Sequence, residues 1–181
     1  MADILIENIV ATTNIAKELD IERLADSIQD SKYDPEDFSG LSIHFNDPRA
    51  VVFIFPNGKI TCTGVKNIDD IEDLIIKTIN KIENSGISVM DEPEVEIENI
   101  VVSSDFKKEL NLLNISKNPL LEKVEYRPEQ FPGLVYRIDD PSMILLIFSS
   151  GKIVCTGAKK LEDASNAINT IEDKLKSMGI L

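Results

Sequence analysis

Few side chains in this chain could do covalent or metal chemistry. His44 is the one histidine, and no serine or cysteine stands at a spacing that would make it a general base. No nucleophile elbow and no glycine-rich phosphate cradle is present. Cys62 and Cys155 lack the neighbouring cysteines and histidines that a metal site requires, and they read as two core thiols. Carboxylates are plentiful, but runs such as Asp69-Asp70-Ile71-Glu72-Asp73 read as the solvated face of a helix. An enzyme is therefore excluded, and no cofactor is implied. What remains is non-covalent: asparagine amides, threonine hydroxyls, phenylalanine rings and a few lysines, each occurring twice.

The doubling is in the sequence. Tyr33-Asp34-Pro35-Glu36-Asp37-Phe38-Ser39-Gly40-Leu41 returns 93 residues later as Tyr126-Arg127-Pro128-Glu129-Gln130-Phe131-Pro132-Gly133-Leu134. Gly58-Lys59-Ile60, Cys62-Thr63-Gly64 and Lys66 return at the same spacing as Gly151-Lys152-Ile153, Cys155-Thr156-Gly157 and Lys159. Ile6-Glu7-Asn8-Ile9-Val10 returns after 91 residues as Ile97-Glu98-Asn99-Ile100-Val101, so the second copy carries two more residues between these blocks. Two copies are too few for a solenoid. The expectation is one compact body of two repeats, residues 1–91 and 92–181, about a pseudo-two-fold axis, with Pro93 at the join. Such a body suits a target that is itself nearly two-fold symmetric.

The elements follow from periodicity. In the first copy Ile4–Thr12 reads as a strand. Asp20 caps a helix carrying Ile21, Leu24, Ala25 and Ile28. Tyr33–Asp37 is short and extended, and Gly40 is expected to break the chain ahead of a strand at Leu41–Phe45. Ala50–Phe55 and Lys59–Thr63 form a hairpin about Pro56-Asn57-Gly58, with Gly64 ending the second strand. Ile68, Ile71, Leu74, Ile75, Ile79 and Ile82 mark a long amphipathic helix closed by Gly86. The second copy repeats this with strands at Val95–Ser103, Leu134–Ile138, Met143–Phe148 and Lys152–Thr156, and helices at Leu110–Asn114 and Leu161–Lys176. The turns are too short for parallel crossovers. The fold class is α+β: two pseudo-symmetric repeats forming a curved antiparallel sheet with helices on one face.

That sheet has an apolar face too many. Val52 and Ile54 point one way and Val51, Phe53 and Phe55 the other; Leu145 and Ile147 oppose Ile144, Leu146 and Phe148 in the same manner. One long and one short helix per half suffice for a single face. Ile60 and Cys62 should join Val52 and Ile54 beneath the helices. Thr61, Thr63, Val154 and Thr156 should share the other face with the phenylalanines. An open apolar patch of that size marks a binding surface. The alternatives on periodicity alone are a core between stacked sheets or a dimer interface, and an interaction module for a peptide or an apolar ligand.

Glu7-Asn8-Ile9-Val10-Ala11-Thr12, Glu129-Gln130-Phe131-Pro132-Gly133-Leu134-Val135-Tyr136-Arg137 and Leu145–Lys159 resemble the TATA-box-binding protein family over nearly the whole chain. The absence of a long low-complexity N-terminal extension, with the acidity, resembles the archaeal type. The resemblance implies a saddle whose concave sheet lies on the minor groove of A·T-rich promoter DNA, with helices on the convex face. Phe38 with Phe55, and Phe131 with Phe148, would wedge between base steps. The family is itself the type example of this mode, and a cost of a few kcal/mol per opened step is the value known for it. Asn8, Asn99, Thr63 and Thr156 match the family's central polar contacts. Val10, Val101, Thr61, Val154, Phe53 and Leu146 match its apolar floor. Lys59, Lys66, Lys152, Lys159 and Arg137, with His44 at the position equivalent to Arg137, would meet phosphates. Glu129 and Gln130 would contact transcription factor B, which brings RNA polymerase; Arg127 stands where the family often has an acidic or neutral residue.

Composition sets a puzzle for this reading. The formal net charge is −13, and phosphate affinity normally comes from Lys and Arg. The acidic residues, however, crowd the expected helices, while the lysines cluster near strand ends. No apolar run is long enough to cross a membrane and no signal peptide is visible, so a cytoplasmic protein is expected, and the resemblance implies that it is nucleoid-associated in an archaeal cell. Hydrophobic residues at 43% support a real core. A free homodimer is a further expectation, because an open apolar face favours self-association.

Overall fold

A computed structural model describes residues 3–90 and 93–181. The expected boundary between residues 91 and 92 falls on positions outside those described. The chain divides into two compact units, Asn8–Glu98 on one hand, and residues up to Glu7 with Asn99–Leu181 on the other.

The first unit contains β1 (Leu5–Asn14), α1 (Ile21–Ser27), β2 (Ser31–Asp34), β3 (Phe38–Asn46), β4 (Arg49–Ile54), β5 (Lys59–Val65) and α2 (Asp69–Glu83), β1 entering it at Asn8. Its strands lie in the order β2-β3-β4-β5-β1, and the pairs with established register are antiparallel. The second unit contains β6 (Val95–Asp105), entering at Asn99, then α3 (Leu112–Ser116), β7 (Val124–Glu125), β8 (Leu134–Asp139), β9 (Ser142–Ile147), β10 (Lys152–Ala158) and α4 (Leu161–Ser177). Its order is β6-β10-β9-β8-β7. The same antiparallel pattern thus serves both repeats, as their matched sequences require.

Helix patterning decides which sheet face is covered. In α2, Ile71, Leu74, Ile75, Thr78, Ile79 and Ile82 are buried, while Asp69, Glu72 and Asp73 are exposed on the opposite side. In α4, Ala164, Ala167, Ile168, Ile171 and Leu175 are buried. These helices pack on β5 and β10. Beneath them Val52, Ile54, Ile60 and Cys62 are fully buried, as are Leu145, Ile147, Ile153 and Cys155. The parity expected from the strand pattern holds in both units.

Several boundaries differ from expectation for identifiable reasons. Gly40 does not break the chain: β3 runs through it from Phe38 to Asn46. Gly64 and Gly157 do not end their strands either. They lie inside β5 and β10 with φ of 102° and 100°, where the register shifts between Ile9 and Ala11, and between Cys155 and Ala158. These are β-bulges, and a glycine supplies the left-handed backbone there at little cost. Helix α3 begins two residues later than expected, because the Asn111 side chain caps it by accepting from the Asn114 amide at 3.1 Å. Asp20 caps α1 as expected, accepting from the Arg23 amide at 3.1 Å.

Candidate nucleic-acid interface

The sheet face away from the helices is built from alternate residues of each strand. In the first unit Phe53 pairs with Thr61, Val51 with Thr63, and Ser42 with Phe53 across the strands, so these side chains share a face. In the second, Leu146 pairs with Val154, Ile144 with Thr156, and Val135 with Leu146. All of these are half-buried, flanked by neighbours but open above, whereas the residues alternating with them are sealed. Val10 and Val101 are half-buried on β1 and β6.

The phenylalanines stand at the loop end of each face. Phe38 is 42% exposed, an unusual position for so large an apolar ring. Its ring meets Phe55 at 5.6 Å between centroids, inclined 71°, and Phe53 at 5.4 Å, inclined 73°. Phe131 meets Phe148 at 5.9 Å and 65°. Edge-to-face contact of this kind holds each pair without burying it. Glycine makes the arrangement possible. A Cβ on Gly40 would lie 2.7 Å from Phe38 Cε1 and 3.0 Å from Phe55 Cε1; on Gly133 it would lie 2.7 Å from Phe131 Cε1 and 3.1 Å from Phe148 Cε1. The rings lie directly on backbone, at Gly40 within β3 and at Gly133 just ahead of β8, and a side chain at either place would push them aside. Beside the first pair is a hollow of about 560 Å³ lined by Phe38, Gly40, Ser42, Phe53 and Lys32, among others.

The polar pairs lie on the same face. Asn8 Nδ2 donates to Thr63 Oγ1 at 3.0 Å, and Asn99 Nδ2 to Thr156 Oγ1 at 3.2 Å. Each asparagine carbonyl accepts from a bulge glycine amide: Gly64 N to Asn8 Oδ1 at 2.6 Å, and Gly157 N to Asn99 Oδ1 at 2.7 Å. The sequence singled out these asparagines and threonines, but not their attachment to the bulges. Two further hydroxyls escaped the sequence reading. Thr12 donates to Glu98 Oε1 at 3.1 Å and Ser103 to Glu7 Oε1 at 2.6 Å, one arrangement in two copies.

The basic residues lie along the strands and just past their ends. Lys59 and Lys152 open β5 and β10, Lys66 and Lys159 follow those strands, and all four are exposed. His44 pairs with Val51 and Arg137 with Ile144, which places both on the open face, and both are exposed. Lys32, paired with Ser42, is an additional exposed cation there that the repeat alignment did not bring out. Acidic side chains concentrate on α2 and α4, on the covered side. Asp34 and Asp37 stand with Lys32 around the hollow beside the first phenylalanine pair, so that corner of the face is not basic.

Glu129 and Gln130 are exposed in the turn ahead of β8, which is closed by the Gln130 and Phe131 amides donating to the Arg127 carbonyl, each at 2.9 Å. The Arg127 guanidinium turns back to Glu125 at 3.0 Å, so its charge is partly matched within the turn. Burial pushes the Cys62 thiol up, and the Cys155 thiol up to about 11. Both are fully buried, protonated and unreactive. Among the described residues no cluster of His, Cys, Asp and Glu is arranged to hold a metal ion, and no helix is long and apolar enough to cross a membrane.

The family model for "Transcription factor TFIID (or TATA-binding protein, TBP)" matches residues 3–85 and again 94–178, once for each repeat. The chain belongs to the TATA-binding protein family. Among curated members, the TATA-box-binding protein of Thermoplasma volcanium is 46% identical over 178 residues, covering 98% of this chain and 97% of that one. That of Archaeoglobus fulgidus is 44% identical over 178 residues, with the same coverage. The solved structure of Methanococcus jannaschii TBP superposes with a TM-score of 0.88 at 42% identity, covering 97% of this chain and 99% of that one. The α+β architecture of two repeats is thus the family's own. The family is one of DNA-binding transcription factors rather than enzymes.

Proposed function

We propose that this chain is a general transcription initiation factor whose two open sheet faces bind the minor groove of an A·T-rich promoter duplex and bend it. The observation that carries this reading is the doubled open apolar face, each copy carrying a phenylalanine pair mounted on glycine at its loop end and an asparagine–threonine pair on the strands β1 and β5, or β6 and β10. Phe38 with Phe55, and Phe131 with Phe148, wedge into base steps near the two ends of the site. Val10, Phe53 and Thr61, with Val101, Leu146 and Val154, lie along the opened groove. Burying apolar surface at roughly 25 cal/mol per Å² offsets the unstacking once a few hundred Å² are covered.

Asn8, Thr63, Asn99 and Thr156 face the middle of the site. An A·T pair presents only adenine N3 and thymine O2 acceptors in the minor groove, which amide and hydroxyl donors satisfy; a G·C pair adds an amino group that opposes them. Flexible TA steps lower the cost of bending. Lys59, Lys66, Lys152, Lys159, Arg137 and His44 meet phosphates along the rim. Glu129 and Gln130 form part of the contact to transcription factor B, through which RNA polymerase is recruited. In the absence of DNA the open faces pair two copies into a homodimer, and in the cell the protein is nucleoid-associated.

The test is a short A·T-rich duplex labelled at both ends with a fluorescent donor and acceptor. Binding with shortening of the end-to-end distance is expected, and none on a G·C-rich duplex. Binding without shortening removes the wedge, and no preference for A·T removes the promoter reading.

A further inference from the structure

The two bulge glycines do more than let β5 and β10 bend. An amide N–H can bond only to an acceptor, so the Gly64 amide at 2.6 Å from Asn8 Oδ1 fixes which end of that side chain is oxygen. The Gly157 amide does the same for Asn99 at 2.7 Å. The nitrogen end of each amide then faces the threonine, Asn8 Nδ2 donating to Thr63 Oγ1 and Asn99 Nδ2 to Thr156 Oγ1, while the Thr63 hydroxyl also lies 3.3 Å from Asn8 Oδ1, which the Gly64 amide holds more closely. An amide nitrogen carries two protons and the threonine takes one, which leaves one for a ligand. The asparagine, which in general can donate or accept, is held here as a donor. The same lock in two repeats, with glycine at φ of 102° and 100°, is not a chance rotamer.

We infer that Gly64 and Gly157 are specificity-determining positioning residues: their backbone amides lock Asn8 and Asn99 so that only donors face the duplex, and this lock rejects the guanine amino group. The inference rests on the proposed minor-groove function. An asparagine free to rotate could offer Oδ1 to that amino group and accept from it, so discrimination would fall even with every side chain in place. The chemistry recognised is a groove that offers acceptors alone.

The experiment removes the donor and nothing else. An alanine at position 64 would be strained by the positive φ, and its Cβ would lie 3.2 Å from Ala50 Cα, so Gly64→Ala risks misfolding. Glycolic acid in place of Gly64, giving a backbone ester, deletes the N–H without adding an atom. Affinity is measured on an A·T duplex and on the same duplex with 2,6-diaminopurine replacing adenine at each central pair in turn. That base keeps thymine pairing and adds only the minor-groove amino group. The wild-type protein is expected to lose roughly tenfold on the modified duplex at the pair facing Asn8, and the ester less than about threefold. An ester that weakens both duplexes equally and discriminates as the wild type does overturns the lock. A wild-type protein that binds neither duplex removes the proposed function instead. Independently, the Gly64 and Gly157 amide protons of the free protein should exchange slowly and show scalar coupling to the asparagine side-chain carbonyl carbons; fast exchange without coupling also overturns the lock.

Discussion

Replacing Phe148 by alanine separates a ring that holds the protein together from one kept for a ligand. Phe148 is half-buried, touching Phe131 edge-to-face at 5.9 Å and lying on Gly133. A phenylalanine has roughly 150–250 Å² to bury, and most of Phe148 is already covered, so about 60 Å² remains for a duplex to cover. At about 25 cal/mol per Å² that is worth about 1.5 kcal/mol on the bound state, or about 12-fold in affinity at 25 °C. The loss should fall mainly on the dissociation rate, since the wedge forms after encounter. Folding stability should change less than for a core ring, by about 1–2 kcal/mol against the 3–5 typical of buried phenylalanine. The assay is energy transfer across an end-labelled duplex, read both for amplitude, which reports bending, and for lifetime after addition of competitor. Phe148→Ala should shorten the lifetime by roughly 5- to 30-fold and reduce the bend. A variant that loses stability like a core mutant yet bends DNA as long and as far as the wild type would refute the reasoning, because the ring would then belong to the interior.

Gly40→Ala should disturb the other wedge without deleting a ring. Its Cβ would press on Phe38 Cε1 at 2.7 Å, the movable end of a side chain, so thermal stability should shift by no more than about 1 kcal/mol while the bend angle falls; an unchanged bend in the energy-transfer assay contradicts the ring's supported posture. The six basic residues proposed for phosphates and Lys32 make seven, so the logarithmic slope of affinity against KCl should be no steeper than about −6, and Lys152→Ala should make it shallower by about one; a slope matching eight or more phosphates would require contacts outside these faces. The Cys155 thiol is pushed up to about 11 by burial. Its folded pKa exceeds the unfolded value, so the folded state holds the proton longer, and stability should be full below about pH 9 and decline towards pH 11 by roughly 2–3 kcal/mol. Urea unfolding of Cys155→Ser against the parent over that range measures the difference, and identical pH slopes would remove the burial argument.

Much of the sheet was legible because period-two patterning is unambiguous once a neighbour fixes the parity. Ile60 and Cys62 told which side of β4 the helices take, and the repeat supplied an independent second reading of every strand. The asparagines and threonines were visible because each recurs inside a repeated block, Asn8 and Asn99 in Ile-Glu-Asn-Ile-Val and Thr63 and Thr156 in Cys-Thr-Gly, and because those blocks resemble the family's. What failed was the meaning of glycine. Gly40, Gly64 and Gly157 all interrupt a strand pattern, and a strand end, a bulge and a seat for an aromatic ring look alike along the chain. The difference lies in atoms far away in sequence: Phe55 above Gly40, Asn8 opposite Gly64, Asn99 opposite Gly157. Lys32 and Ser42 escaped for a related reason, since their place on the open face comes from pairing between β2, β3 and β4 and not from any local period.

The central claim, that the open faces read the minor groove, is tested most directly by changing one groove and leaving the other. Replacing every A·T pair of a bound duplex by inosine·cytosine preserves the minor-groove acceptors without adding the amino group, yet gives the major groove the pattern of G·C. Binding and bending should survive on the inosine duplex within a few-fold and vanish on the corresponding G·C duplex. Equal loss on both would show that recognition occurs in the major groove and would contradict the account.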